Sequence, residues 1–232
     1  MSGKFIVFEG GEGGGKTTQL QRLYQWLTAS AIAQPLFQAG VMAEVVTTRE
    51  PGGTATGRRI RQVLLDQPAD ASETISDRTE LLLYAADRAQ HVSTDLRPKL
   101  AKGVWILCDR YTASTMAYQG YGRGLDLGLI EQLNAIATDG LTPDLTIWLD
   151  VPVEIGLARA QQRGPRDRME QASLDFHQRV RQGFATLFAQ DDTVARIDAA
   201  QPADSVTQHI QFVFKQWLHR WYPNHCHPPL LR

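Results

Sequence analysis

The chain has 232 residues, of which 43% are apolar and 21% charged, enough to bury a full core. Its 24 lysines and arginines face 25 aspartates and glutamates, a formal net charge of −1, which disfavours a nucleic-acid or anionic-membrane partner. Cys108 and Cys226 cannot build a disulfide framework, and no apolar run reaches signal-peptide or membrane-spanning length, so a cytoplasmic location is expected.

In chain order, Lys4–Glu9 predicts a strand, and Leu20, Leu23, Tyr24 and Leu27 then fall on one helical face. Ala31–Val41 has no role legible in the sequence, and Ala43–Thr48 reads as a second strand. Asp77 with Glu80 predicts a capping box opening a helix that runs to about Leu100. Strands are expected at Val104–Asp109, Leu145–Asp150 and Thr193–Asp198. A helix from near Pro152 stops at Gly164-Pro165; Phe176, Val180, Phe184 and Leu187 mark another, and Val206, Ile210, Val213, Trp217 and Trp221 a last one. Most strands are continuously apolar, as burial on both faces requires, and helices must cover those faces. This predicts a doubly wound three-layer α/β/α fold over residues 1–222, with ligands at the carboxyl ends of the strands and an irregular tail over 223–232.

Gly10-Gly11-Glu12-Gly13-Gly14-Gly15-Lys16-Thr17 meets G-x-x-x-x-G-K-[ST] at every fixed position, between a strand and an amphipathic helix. Its glycines let backbone N–H groups turn inward on phosphate oxygens, and the helix, continuing through Thr18, aims its positive end at the same anion. Lys16 is expected to reach the β- and γ-phosphates of ATP, and the Thr17 hydroxyl to hold Mg²⁺. Glu12 is unexpected in an anion-binding loop, since it repels phosphate unless a cation or hydroxyl engages it. Among guanine-nucleotide proteins an N-K-x-D run would read the base, and the chain has none. Small-molecule kinases remain.

The second strand ends in Thr48-Arg49-Glu50-Pro51-Gly52-Gly53 and the third in Asp109-Arg110-Tyr111, both at the sheet edge where ligands collect. A buried strand ending in Asp beside Arg sets a Mg²⁺-associated carboxylate next to a phosphate fork. Tyr84 and Arg88 are four apart on a helix, so an aromatic plane and a guanidinium share a face that suits a base. Thr115, Tyr118 and Gln119 follow Arg110 at spacings of three and four.

These stretches, with Tyr84-Ala85-Ala86-Asp87-Arg88, Tyr118-Gln119-Gly120 and the Arg163–Glu170 segment, resemble the thymidylate kinase family in its own order, from Lys4 to about Trp221. The resemblance implies transfer of the ATP γ-phosphoryl group to dTMP, a five-stranded parallel sheet, a small mobile lid (about residues 160–172) and a homodimer. It assigns dTMP to Glu12, Arg49, Glu50, Pro51, Tyr84, Arg88, Arg110, Thr115, Tyr118 and Gln119, with Thr17 and Asp109 at the metal. Glu12 matches the acidic loop position near the acceptor sugar and phosphate, and Tyr118 and Gln119 a wall that reads the base and crowds a ribose 2′-hydroxyl. Met116 stands in that wall where a polar residue is expected. Gly13 and Gly14 are neutral while Arg163, Arg166 and Arg168 crowd the lid, so the chain resembles members whose catalytic arginine lies there. Alternative readings are a deoxynucleoside kinase with Glu50 as base, a kinase for another nucleoside monophosphate, and a non-catalytic nucleotide-binding regulator. Against the first stands Arg49, a cation suited to a phosphate already on the acceptor.

Overall fold

A computed structural model describes residues 2–30, 32–66, 75–162, 168–169 and 171–223. Five parallel strands, β1 (Phe5–Glu9), β2 (Glu44–Arg49), β3 (Val104–Asp109), β4 (Leu145–Asp150) and β5 (Val194–Asp198), lie in the order β2-β3-β1-β4-β5. All five expected strands are present, with ends within one residue. The three inner ones are buried along their whole length, while β2 and β5 bury only alternate or isolated positions. Those two are the edge strands of the sheet. Double-sided burial thus holds only for the middle of the sheet.

On one face, α1 (Lys16–Ala29) and the long C-terminal α10 (Ala203–Trp221) seal a core with Phe8, Trp105, Leu107, Ile147 and Phe214. The segment at 32–42 joins it: α2 (Gln34–Gln38) buries Leu36, and Val41 and Met42 follow it into the same core. It is packing material. On the other face lie α3 (Ala55–Leu65), α4 (Asp77–His91), α5 (Arg97–Ala101), the short α6 (Thr112–Thr115) and α7 (Leu127–Thr138). Near the β4–β5 side lie α8 (Val153–Gln162) and α9 (Leu174–Leu187), and a π-helical stretch at Met116–Gly122 continues the helical run of α6.

The expected helix from Asp77 to Leu100 is one helical run broken by a π-turn at Val92–Leu96. Its cap differs from the reading above. Ser76 is the N-cap and accepts from the Thr79 N–H at 3.3 Å, so Asp77 is already helical. Glu80 is thereby freed from a capping box and is fully buried. Met116 also leaves the substrate wall: it packs with Leu81 and Ile130 in a small core.

Candidate active site

The floor of the site is backbone. Gly10 (φ 138°) and Gly13 (φ 64°) take conformations that favour glycine, and the chain passes so close to its neighbours that no side chain fits. A Cβ on Gly10 would stand 2.4 Å from the Leu149 carbonyl oxygen, and one on Gly13 1.9 Å from that of Gly156. The loop therefore nests between β4 and α8. Lys16, 7% exposed, donates to the Gly10 and Gly11 carbonyls at 3.1 and 2.7 Å, curling back over the loop it follows. Burial and the nearby Arg110 charge pull its ammonium down to about 8, with Glu12 and Asp109 pulling the other way.

A cavity of about 360 Å³ opens above this floor at the carboxyl ends of the strands. It is lined by Glu12, Gly13, Gly15, Lys16, Thr17 and Thr18 from the loop and α1, and by Arg49, Glu50 and Pro51 beyond β2. Tyr84 and Arg88 come from α4, and Asp109, Arg110, Thr115, Tyr118 and Gln119 from β3 onward. Sixteen positions chosen from sequence thus share one space. Gly10, Gly11 and Gly14 shape the loop from below.

Arg110 links the floor to the far wall. Immediately after β3 it takes φ 73°, a left-handed conformation uncommon and costly for a residue with a Cβ. The turn sends its guanidinium back across the loop, where it donates to the Gly10 carbonyl (3.0 Å), Glu12 (2.7 Å), Ser114 (3.1 Å) and the Tyr118 hydroxyl (3.2 Å). The Tyr118 hydroxyl also donates to Glu12 at 2.7 Å. Burial pushes the Glu12 carboxyl up, but Arg110, Lys16 and Tyr118 outweigh it and hold the group at about 2. Glu12 is therefore a fixed negative charge, and its partners explain its place in an anion loop. Sequence reading missed what holds this turn: Glu9, buried at the end of β1, accepts from the N–H groups of Tyr111 and Ser114 and from the Ser114 hydroxyl. Burial raises its carboxyl above the ordinary range.

Arg88, 2% exposed, donates Nε–H to Glu50 (2.9 Å), Nη1–H to Asn134 (2.6 Å) and Nη2–H to the Tyr111 carbonyl and Thr115. Glu50's other oxygen pairs with His91 Nδ1 at 2.9 Å, and His91 Nε2 meets Thr48 at 2.8 Å. Both Glu50 oxygens are thus engaged, which removes it as a ready base for a hydroxyl acceptor. Asp87 accepts from the Gly52 N–H at 3.0 Å and so pins the loop after Pro51. None of Asn134, His91 or Asp87 stood out in the sequence as site residues, because Asn134 and His91 act through another side chain and Asp87 through the Gly52 backbone.

Thr17 Oγ1 donates to Asp109 Oδ2 at 2.6 Å beside the loop. A hydroxyl and a carboxylate are hard oxygen donors, the set Mg²⁺ takes when phosphates and waters complete its shell. Among the described residues no cluster of three or more His, Cys, Asp or Glu offers an all-protein cage.

Arg163 and Arg166 lie outside the described residues, as does Glu170. Arg168 is described: its Nε–H donates to the Leu64 carbonyl at 3.1 Å and its other arm pairs with buried Glu80. The cavity also takes in Arg61, Leu65, Arg159 and Met169, which were not foreseen. Arg159 donates to the Ala199 and Ala200 carbonyls, tying α8 to the loop after β5.

Among known proteins, the family model described as Thymidylate kinase matches residues 8–210. A relative from Acaryochloris marina, named Thymidylate kinase, is 55% identical over 96% of this chain and 100% of its own length. Relatives of the same name from a Cyanothece species and from Trichodesmium erythraeum are 55% and 53% identical, covering 96% and 95% of the chain and 98% and 99% of theirs.

Proposed function

The chain belongs to the thymidylate kinase family, and from that premise we propose how its residues carry out the reaction. The enzyme phosphorylates dTMP to dTDP with ATP as donor. A phosphate monoester has a second pKa of about 6, so dTMP arrives largely as a dianion and its oxygen needs no general base. The chain's task is to position two polyanions and to meet the charge between them.

In this reading the floor Gly10–Thr17 cradles the ATP phosphates and Lys16 meets the β- and γ-groups. Mg²⁺ would be held through Thr17 and Asp109, and when bound it supplies charge neutralisation at the phosphates. Arg49 and Arg110 orient the acceptor phosphate, while Tyr84, Arg88, Thr115, Tyr118 and Gln119 enclose its nucleoside. The catalytic lid arginine is Arg163, supported by Arg166 or Arg168; Arg163→Ala should lower turnover strongly while the ATP dissociation constant stays within a few-fold. The observation that carries the reading is Arg110, held at φ 73° and bonded to both Glu12 on the floor and Tyr118 on the wall. Among the described residues it is the cation that joins floor and wall through its own hydrogen bonds.

A homodimer is the assembly we favour. Val63, Leu82, Leu129 and Ile136 are 56%, 50%, 42% and 77% exposed on α3, α4 and α7, and α4 packs against both of the others. Sedimentation should give twice the 25.9 kDa chain mass. Among the described residues no helix is long and apolar enough to cross a membrane.

ADP release measured with dTMP, thymidine, dUMP, dGMP and dCMP tests the acceptor assignment. It should be fastest with dTMP and negligible with thymidine. Comparable rates with thymidine would replace this reading by a nucleoside kinase.

A further inference from the structure

Glu80 is the only carboxylate among the described residues that is wholly buried and joined to three side chains from beyond its own helix. Its Oε1 accepts from Gln119 Nε2 at 2.8 Å. Its Oε2 pairs with Arg123 at 3.3 Å and with Arg168. Arg123 lies over the Phe176 ring at 5.3 Å, and Arg168 is fixed to the Leu64 carbonyl, so both guanidiniums are themselves positioned. A carboxylate in this setting only accepts. The Gln119 amide must therefore turn its NH₂ to Glu80, which leaves its carbonyl oxygen on the opposite side of the group.

Gln119 lines the acceptor cavity together with Arg88 and Thr115. Arg88 spends one Nη1–H on Asn134 and holds to Thr115, four residues before Gln119 on the same helical run. The cavity wall thus presents a guanidinium donor near an amide acceptor. A pyrimidine with a carbonyl at C4 and a proton on N3 meets that pair with an acceptor and a donor. A 4-amino pyrimidine offers the reverse on both atoms.

We propose that Glu80 is a specificity-determining positioning residue: by fixing the Gln119 amide it makes the pocket accept a 4-oxo, N3–H pyrimidine and reject a 4-amino one. This rests on the dTMP reading of the cavity. A site built to bond one edge pattern leaves buried groups unpaired when the wrong edge enters, and discrimination of this kind is large. With glutamine at 80 the neighbouring amide is no longer forced, because either of its ends finds a partner.

The test is the ratio of kcat/KM for dTMP to that for 5-methyl-dCMP, which keeps the methyl group and changes only the edge. The ratio divides out general damage, which a merely structural role would produce. Glu80→Gln should lower it by about fivefold or more; any smaller change in a folded variant overturns the proposal. If Glu80→Gln does not fold, Gln119→Met keeps the volume without an amide, and the same threshold decides. Failure of the wild-type enzyme to use dTMP would instead sink the underlying functional reading, while an active enzyme with an unmoved ratio sinks this inference alone.

Discussion

The glycine-rich floor and the wall opposite it face each other across one cavity but are built on different principles. The floor is contiguous: eight residues, Gly10–Thr17, form one loop of backbone, and glycine is required where the chain touches β4 and α8. The wall is assembled from β2, α4, β3 and the helical run after it, and its working groups are side chains held by other buried side chains. A backbone site is fixed locally and tolerates what happens elsewhere. A side-chain site inherits the whole network behind it, so a change two residues removed from the ligand reaches it. The two halves should therefore fail differently when perturbed.

The largest effect is expected on the floor. Lys16→Ala removes the cation that the loop itself curls around, and turnover should fall about 100- to 1000-fold while thermal unfolding stays within a few degrees of wild type. Preserved turnover in the purified variant would mean that the floor is not where the transferring group sits. On the wall, Arg88→Lys keeps a charge beside Glu50 but loses the planar fork with its four protein bonds. Calorimetric titration should show dTMP binding weakened about tenfold or more, with ATP binding within about threefold. Equal losses for both ligands would erase the distinction between the halves.

Tyr118 tests where they meet. Its ring packs on Phe176 and Phe184 while its hydroxyl bonds Glu12, so it is both core and wall. Tyr118→Ala should narrow the kcat/KM gap between dTMP and its ribonucleotide counterpart by about tenfold; an unchanged ratio would leave Tyr118 a packing residue.

The smallest effect is a pH dependence from behind the wall. Burial and the Glu50 charge raise the Asp87 carboxyl from 3.8 to about 6. The folded state then binds the proton more tightly than the unfolded chain, so this group's contribution is full below pH 3.8 and is lost as pH rises through about 6. Asp87→Asn keeps an acceptor for the Gly52 N–H and cannot ionise. Urea unfolding at pH 4.5 and 7.5 should show the variant gaining stability relative to wild type by the order of 1–3 kcal/mol at the higher pH. A difference independent of pH would show that Asp87 is already ionised in the folded protein throughout.

The same contrast explains what the sequence made legible. The strands were readable because apolar runs end in polar residues at the sheet edge, and Gly10–Thr17 because one spacing encodes one backbone shape. Arg88 and Tyr84 were readable because a helical interval of four places them together. Asp77-x-x-Glu80 has the spacing of a capping box, yet Ser76 just before it is the cap and Glu80 turns inward. Its real partners, Gln119, Arg123 and Arg168, are 39, 43 and 88 residues away. No local pattern announces such a contact. Glu9, Asn134 and His91 share that fate: each is an ordinary polar residue until the fold supplies its partner. The anchorage of Arg168 to Leu64 and Glu80 likewise follows from tertiary contact alone.

If floor and wall hold donor and acceptor in one cavity, the phosphoryl group passes directly between them. The stereochemical course at phosphorus tests this most directly, using ATP whose γ-thiophosphate is made chiral with oxygen isotopes and dTMP as acceptor. One in-line displacement inverts the configuration, and inversion is the result expected. Retention would require an even number of displacements through a phosphorylated enzyme side chain, and would contradict the account.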